Sequence, residues 1–249
     1  MLTNARSAAI LIIGNEILSG RTRDTNIQMI SVALGKHGIR VREARVVEDR
    51  YEAIVYALNG LRASHDFVFT TGGIGPTHDD ITTECIAGAF GRVVIENPAA
   101  VERLVAYYGP AGMNEARLKM AHVVAGATLI DNPISAAPGF RIENVFVLPG
   151  VPQILQAMLP SIIASLPSGQ PILSRTITAW IREGEIASDL ASVQNTHPNL
   201  DVGSYPFARD GRYGTSLVIR GTDAEGLELA LTAVCAFLTQ REAEFARAE

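Results

Sequence analysis

A chain of 249 residues, 47% of them hydrophobic, can build one large domain with a full core and a second, smaller one. A formal net charge of -5 without clustered Lys and Arg argues against a nucleic-acid partner and for a small molecule, because neutralising a phosphate backbone takes gathered basic side chains. Cys85 and Cys235 stand far apart and outside any Cys-x-x-Cys spacing, so neither a disulfide framework nor a zinc site is indicated.

The chain opens with "AAILIIG", a buried strand. The apolar run from Ala8 to Ile13 is too short to span a bilayer and carries no signal-peptide cleavage pattern, so a cytoplasmic protein with no membrane association is expected. After Thr25, residues Ile27, Ile30, Ala33 and Leu34 share one helical face that stops at Gly38. "IRVREARVV" follows as a strand, "YEAIVYALNGLRAS" as a helix and "DFVFT" as another buried strand. Strand and helix in alternation imply an α/β domain with a parallel sheet covered on both faces.

"NPAAVERLVAYYG" and "NEARLKMAHVV" have helical patterns, and "ATLIDNP", "GFRIEN" and "VFVLPG" return to short strands. A helix from about Pro152 to Leu166 closes this α/β domain, residues 1–168. "LPSGQP" has the composition of a linker. Residues 172–249 then give strand, helix, two strands and helix, from "SRTITAWI" to "AEGLELALTAVCAFLTQ". That order suggests a small α+β domain with helices on one face of an antiparallel sheet.

The stretch "FVFTTGGIGPTHDDITTE" concentrates the chemistry. It lies between a strand and a helix, where open α/β sheets bind ligands. Gly72, Gly73 and Gly75 let backbone N–H groups approach phosphate oxygens, with a helix N-terminus behind them. Asp79, Asp80 and Glu84 follow at once, and a helix starting at Asp80 or Ile81 would set Glu84 one turn from Asp80 on the same face. Carboxylates beside a phosphate cradle repel the ligand unless a cation bridges them, and hard oxygens favour Mg²⁺ or Mn²⁺. The alternative is a tight turn before a helix capped by Asp80 or Thr82, its acids suiting the helix dipole.

Two more loops reach the same expected edge. "GNEILSGRTRDTN" offers Gly14, Asn15 and Glu16, and Asp49 follows the second strand, where it serves equally well as a helix cap. "NPISAAPGF" and "LPGVPQ" contribute rigid proline turns, as suited to connection as to ligand contact.

Together "TTGGIGPTHDDITTE", "GNEILSGRTRDTN", "NPISAAPGF", "LPGVP" and, further on, "GSYP" resemble the competence/damage-inducible protein A (CinA) family over nearly the whole chain. The resemblance implies a three-layer, parallel-sheet, molybdopterin-binding-like domain followed by the small α+β domain, assembled as a homo-oligomer. It also implies metal-dependent ADP-ribose pyrophosphatase activity, with FAD hydrolysed by related domains, or alternatively non-catalytic binding of molybdopterin or a nucleotide. The acid matching Asp80 is functionally important in relatives, and Asp49 is a weaker match to a second such acid. The expected assignment gives catalysis to Asp80, Asp79 and Asp49, and a divalent ion (Mg, Mn or Co) to Asp80, Glu84 and Glu16. Ligand contact falls to Thr71, Gly72, Gly73, Gly75, Pro76, Gly14, Asn15, Ser135 and Gly139. Many relatives carry Asp where this chain has Asn15, which removes one metal ligand, and Gly where it has Ser135. The family's amidase domain resembles nothing in this sequence, so that activity is not expected.

Overall fold

The structure, a computed structural model, describes residues 6–247. The chain divides into two compact units between Gly169 and Gln170.

The first unit begins with β1 (Ser7–Ile13), α1 (Asn15–Leu18), α2 (Asn26–Lys36), β2 (Arg40–Val47), α3 (Tyr51–Ser64), β3 (Phe67–Thr71) and α4 (Thr82–Phe90). It continues through β4 (Val94–Glu96), α5 (Pro98–Tyr108), α6 (Glu115–Lys119), β5 (His122–Val124), β6 (Thr128–Ile130), β7 (Gly139–Ile142), β8 (Val145–Leu148) and α7 (Pro152–Ala164). The main sheet has the order β2-β1-β3-β8-β7-β6.

Strand β1 explains why the sheet needs a helical layer on each side. Ala9, Leu11 and Ile13 pack with Ile54, Leu58 and Leu61 of α3 and Ile86 of α4. The intervening Ala8, Ile10 and Ile12 pack with Ile30 and Leu34 of α2 and Leu155, Met158 and Ile162 of α7. A strand buried on both faces has to be apolar throughout, which is how "AAILII" reads. Phe69 and Phe146 stack across the β3/β8 pair with centroids 4.8 Å apart.

Strands β1, β2, β3 and β8 are parallel, whereas β7 runs antiparallel to β8, and β6 antiparallel to β7. Only Glu143 and Asn144 separate β7 from β8, and Glu143 has φ +50°. Two residues make a hairpin and cannot make a parallel crossover. The expected helix over "NEARLKMAHVV" is also shorter. It stops at Lys119, and Val123 and Val124 pair with Ile95 and Val94 in a two-stranded antiparallel sheet. Those valines are buried in this pairing, an outcome set by a partner some thirty residues away rather than by local pattern.

The second unit contains β9 (Leu173–Ala179), α8 (Glu183–Thr196), β10 (Asp201–Arg209), β11 (Arg212–Gly221), α9 (Ala224–Gln240) and β12 (Phe245–Arg247). Its antiparallel sheet has the order β10-β11-β9-β12. Asp210 and Gly211, both at positive φ, close the β10/β11 hairpin with the twist a two-residue loop requires. Ile177, Leu217 and Ile219 of the sheet pack with Ile186 of α8 and Leu227, Leu231 and Val234 of α9. Strand β12 was not apparent from the sequence pattern.

Candidate functional site

In the main sheet β2 lies on one side of β1 and β3 on the other, so the chain changes direction at β1 and opens a crevice beyond the carboxyl ends of the strands. Gly14 follows β1, and its N–H donates to the Val47 carbonyl at 3.1 Å. A Cβ on Gly14 would lie 2.5 Å from Glu16 Oε1, so the Glu16 carboxylate folds back over the end of β1. The Asn15 N–H donates to Asp49 Oδ2 at 2.8 Å, which ties the loop after β1 to the loop after β2.

Beyond β3 the backbone requires glycine. Gly72 has φ +104°, and a Cβ there would overlap the Ile13 carbonyl oxygen. Gly73 has φ +67°, and a Cβ on it would overlap Thr82 Oγ1. Thr82 instead donates its hydroxyl to the Gly72 carbonyl (2.9 Å) and its N–H to the Gly73 carbonyl (2.9 Å), folding the start of α4 back onto the turn. A Cβ on Gly75 would sit 2.7 Å from Asp80 Oδ2.

The acids that follow form a small knot around Thr77. Its N–H donates to Asp80 Oδ2 at 2.8 Å, and its hydroxyl lies 2.5 Å from both Asp80 Oδ2 and Asp79 Oδ1. One hydroxyl proton serves one carboxylate at a time, so the two acids compete for it. The bond from Thr77, followed by the Asp79 backbone N–H, holds the exposed Asp79 carboxyl below the usual carboxylate range. Lys119 Nζ donates to the Thr77 carbonyl from the other side.

Two side chains that sequence patterning did not single out stitch the crevice together. Asn26, buried at the start of α2, donates Nδ2 to the Gly150 carbonyl (2.9 Å) and to Thr71 Oγ1 (3.3 Å). It thereby joins the loops after β3 and β8, while its Oδ1 and Thr70 Oγ1 are buried without a hydrogen-bond partner. Asn132 orders the loop before β7, accepting from the N–H groups of Ile134 (3.0 Å) and Ser135 (3.2 Å) and donating to Ser135 Oγ (2.7 Å). Asn26 closes one quoted motif and Asn132 opens another, but the bond from Asn26 to Gly150 spans 124 residues and leaves no local signal.

These loops enclose a cavity of about 510 Å³, a size that suits a small-molecule site. Of the expected residues, Gly14, Glu16, Asp49, Gly72, Gly73, Gly75, Pro76, Asp79, Asp80 and Ser135 line it. Thr22, Met120, Asn132 and the segment from Pro149 to Pro152 also line it. Asn15 and Thr71 act from behind it, through Asp49 and Asn26 respectively. Gly139 lies within β7, where a Cβ would approach the Val147 carbonyl oxygen at 2.6 Å, a requirement of strand packing. Glu84 is exposed on α4 and does not line the cavity. Asp80 precedes α4, which starts at Thr82, so the shared helical face expected for Asp80 and Glu84 does not form. No side-chain cap of α4 is made by Asp80 either, whose carboxylate turns to Thr77.

Four carboxylates and no basic side chain face this cavity. Their hard oxygens are the right donors for Mg²⁺ or Mn²⁺. Among the described residues, however, no three of His, Cys, Asp and Glu gather as a metal cage. The donor set therefore fits a divalent ion that completes its shell with water and ligand phosphates, as Mg²⁺ commonly does, better than one held by protein alone.

A glycine-walled crevice at the switch point of an open sheet defines an α/β domain that holds a small molecule. Residues 9–170 match the family described as "Probable molybdopterin binding domain", and residues 171–246 match "FAD synthase, middle domain". The chain belongs to the CinA family of molybdopterin-binding-like proteins. It is 31% identical over 255 residues to the "Probable FAD synthase" of Caenorhabditis elegans, covering 92% of this chain and 49% of that protein. It is 29% identical over 208 residues to the "CinA-like protein" of Fervidobacterium nodosum, covering 80% of this chain and 50% of the relative. The chain thus spans about half the length of these two relatives. The crystal structure of CinA from Thermoplasma acidophilum, a protein of unknown function, superposes with a TM-score of 0.59 at 35% identity, covering 63% of this chain and 96% of that one. Among the described residues no helix is long and apolar enough to cross a membrane.

Proposed function

We propose that this chain is a metal-dependent nucleotide pyrophosphatase that hydrolyses ADP-ribose, or a related dinucleotide such as FAD, to AMP and a phosphate product. The observation that carries this is the meeting of Glu16, Asp49, Asp79 and Asp80 with the Gly72–Gly75 turn in one cavity. Similarity of residues 171–246 to a domain of FAD synthase supports a nucleotide ligand.

Asp79 and Asp80, joined through Thr77, would hold the divalent ion, with Glu16 near enough to the same cavity to reach it through water and with ligand phosphates completing the shell. Bound there, such an ion neutralises charge on phosphoryl oxygens and lowers the pKa of a water. The glycine turn admits the diphosphate close to the backbone, where its N–H groups stabilise charge developing on oxygen. A carboxylate with a depressed pKa is a good ligand and a poor proton acceptor at neutral pH, so Asp79 suits the ligand role. Asp49, its Oδ2 oriented by the Asn15 N–H, is left to take the proton of the attacking water. In this scheme the enzyme is a homo-oligomer, as the family resemblance implies, and works in the cytoplasm, as the short N-terminal apolar run suggests.

The second reading, a non-catalytic binder of molybdopterin or a nucleotide, is favoured by the lack of a ready metal cage among the described residues and by Asn15 in place of a carboxylate. Product release from ADP-ribose and from FAD, with Mg²⁺, Mn²⁺, Co²⁺ or no metal, separates the two. Metal-dependent AMP release is expected, and Asp80→Ala should lower it at least ~100-fold while the circular dichroism spectrum is unchanged. Full turnover by a folded Asp80→Ala protein removes Asp80 from the site. Failure of the wild type to release AMP with every metal leaves the binding reading.

A further inference from the structure

The cavity presents a charge problem that its own walls do not solve. A diphosphate brings negative charge to a surface that carries four carboxylates and no cation, an arrangement that repels the ligand at close range. A metal ion offsets part of this. Arg21 and Arg23 flank Thr22, which lines the cavity, but no hydrogen bond among the described residues ties either to the acids. The cations near the acids differ sharply in how committed they are. Arg50, beside Asp49, is bound by Glu48 at 2.7 Å and Glu52 at 3.2 Å. Arg117 turns away to the Gly112 carbonyl and lies over the Tyr108 ring. Lys119 makes no ion pair among the described residues, and its one hydrogen bond goes to a neutral acceptor, the Thr77 carbonyl.

An ammonium group has three N–H donors and no acceptor. With one directed at Thr77, two remain for a ligand. Their place is set from both sides. Met120, the next residue, lines the cavity, and Thr77 is the residue whose N–H and hydroxyl hold Asp80 and Asp79. Helix α6 delivers the side chain there, started by Asn114 Oδ1 accepting from the Arg117 N–H at 2.9 Å.

We propose that Lys119 is the protein's own phosphate-binding cation at this cavity, its ammonium group contacting the ligand's phosphate oxygens from beside Thr77, where the glycine turn ends. The proposal rests on the phosphate-bearing ligand of the preceding section and holds for hydrolysis and for binding alone. In the ligand-free protein the Thr77 carbonyl keeps the ammonium beside the acids. When phosphate enters, the two free N–H groups point at it without breaking that bond.

The test is calorimetric titration of AMP and of ADP-ribose, with and without Mg²⁺, at low and high NaCl, into wild type, Lys119→Met and Lys119→Arg. Matching thermal melts establish that the variants are folded. A charge-assisted hydrogen bond carries about a 10- to 100-fold effect on affinity. Lys119→Met should therefore bind both nucleotides about 10- to 100-fold more weakly and lose part of the salt dependence, since a contact between charges is what salt screens. Lys119→Arg should stay within a few-fold of wild type. Unchanged affinity in Lys119→Met overturns the proposal. So does equal weakening in both variants with wild-type salt dependence, which is the signature of a side chain that merely props the Thr77 loop. A wild type that binds neither nucleotide refutes the phosphate ligand itself, and this proposal with it. Wild-type binding alongside an unimpaired Lys119→Met refutes Lys119 alone.

Discussion

Replacing Gly72 by Ala tests whether the crevice depends on backbone contact between the ends of β1 and β3. Gly72 has φ +104°, and its added Cβ would overlap the Ile13 carbonyl oxygen and lie 3.2 Å from that carbonyl carbon. Neither backbone is free to yield. The Gly72 N–H donates to the Leu148 carbonyl and the Gly14 N–H to the Val47 carbonyl, both at 3.1 Å. Positive φ costs an L-residue about 1–2 kcal/mol, and displacing the turn far enough to relieve the overlap sacrifices a backbone hydrogen bond worth about 1 kcal/mol. The sum is about 2–3 kcal/mol, or a fall in Tm of about 4–12 °C for a protein of this size. Gly20 supplies the control, because it has φ +72° with nothing within 4 Å of an added Cβ. Gly20→Ala should cost only the dihedral share, about 1–2 kcal/mol or about 2–8 °C, and so about 1 kcal/mol less than Gly72→Ala. Urea and thermal unfolding followed by circular dichroism measure both variants. If Gly72→Ala loses no more stability than Gly20→Ala, the contact between the two strand ends is not the constraint described above.

Two other groups give independent checks. Burial, followed by the charges of Glu84, Glu52 and Asp49, pushes the Cys85 thiol up to about 12, whereas Cys235 is partly exposed. A disulfide reagent at pH 8 should therefore titrate Cys235 alone in the native protein and both thiols in urea; two fast thiols in the native state would contradict that burial. Asp66 accepts from the Ser7 N–H (2.7 Å) and hydroxyl (2.8 Å), and these bonds hold its carboxyl below the ordinary 3.8. Because the folded pKa is the lower one, the stabilisation is present above pH ~4 and fades as pH falls through the folded value. The gap between wild type and Asp66→Asn in urea midpoint should thus shrink from pH 5 to pH 3, and a constant gap would exclude the linkage.

The local signals in this sequence were strong where one side chain or one period decides the outcome. An unbroken apolar run made β1 a strand buried on both faces, and three glycines in four residues marked the turn after β3. Helix faces such as Ile30 and Leu34 followed from spacing alone. Glu16, Asp79 and Asp80 were legible as acids near glycines after a strand, and Asp49 as an acid after the second strand that served equally well as a helix cap. Their partners were not: Thr77 takes both Asp79 and Asp80, and Glu84, one helical turn further on, looks to solvent.

What the sequence by itself determined is the alternation of strand and helix, the second domain's order of elements, and the places where the backbone must bend through glycine. Each of these depends on near neighbours in the chain. Tertiary structure alone decided the pairing of β4 with β5 and the bridge from Asn26 to Gly150. It alone brought Lys119 to Thr77, a contact between residues 42 positions apart. The physical reason is that a crevice at the carboxyl ends of parallel strands is walled by loops from many separate crossovers, so its composition is written in strand order and not in local spacing.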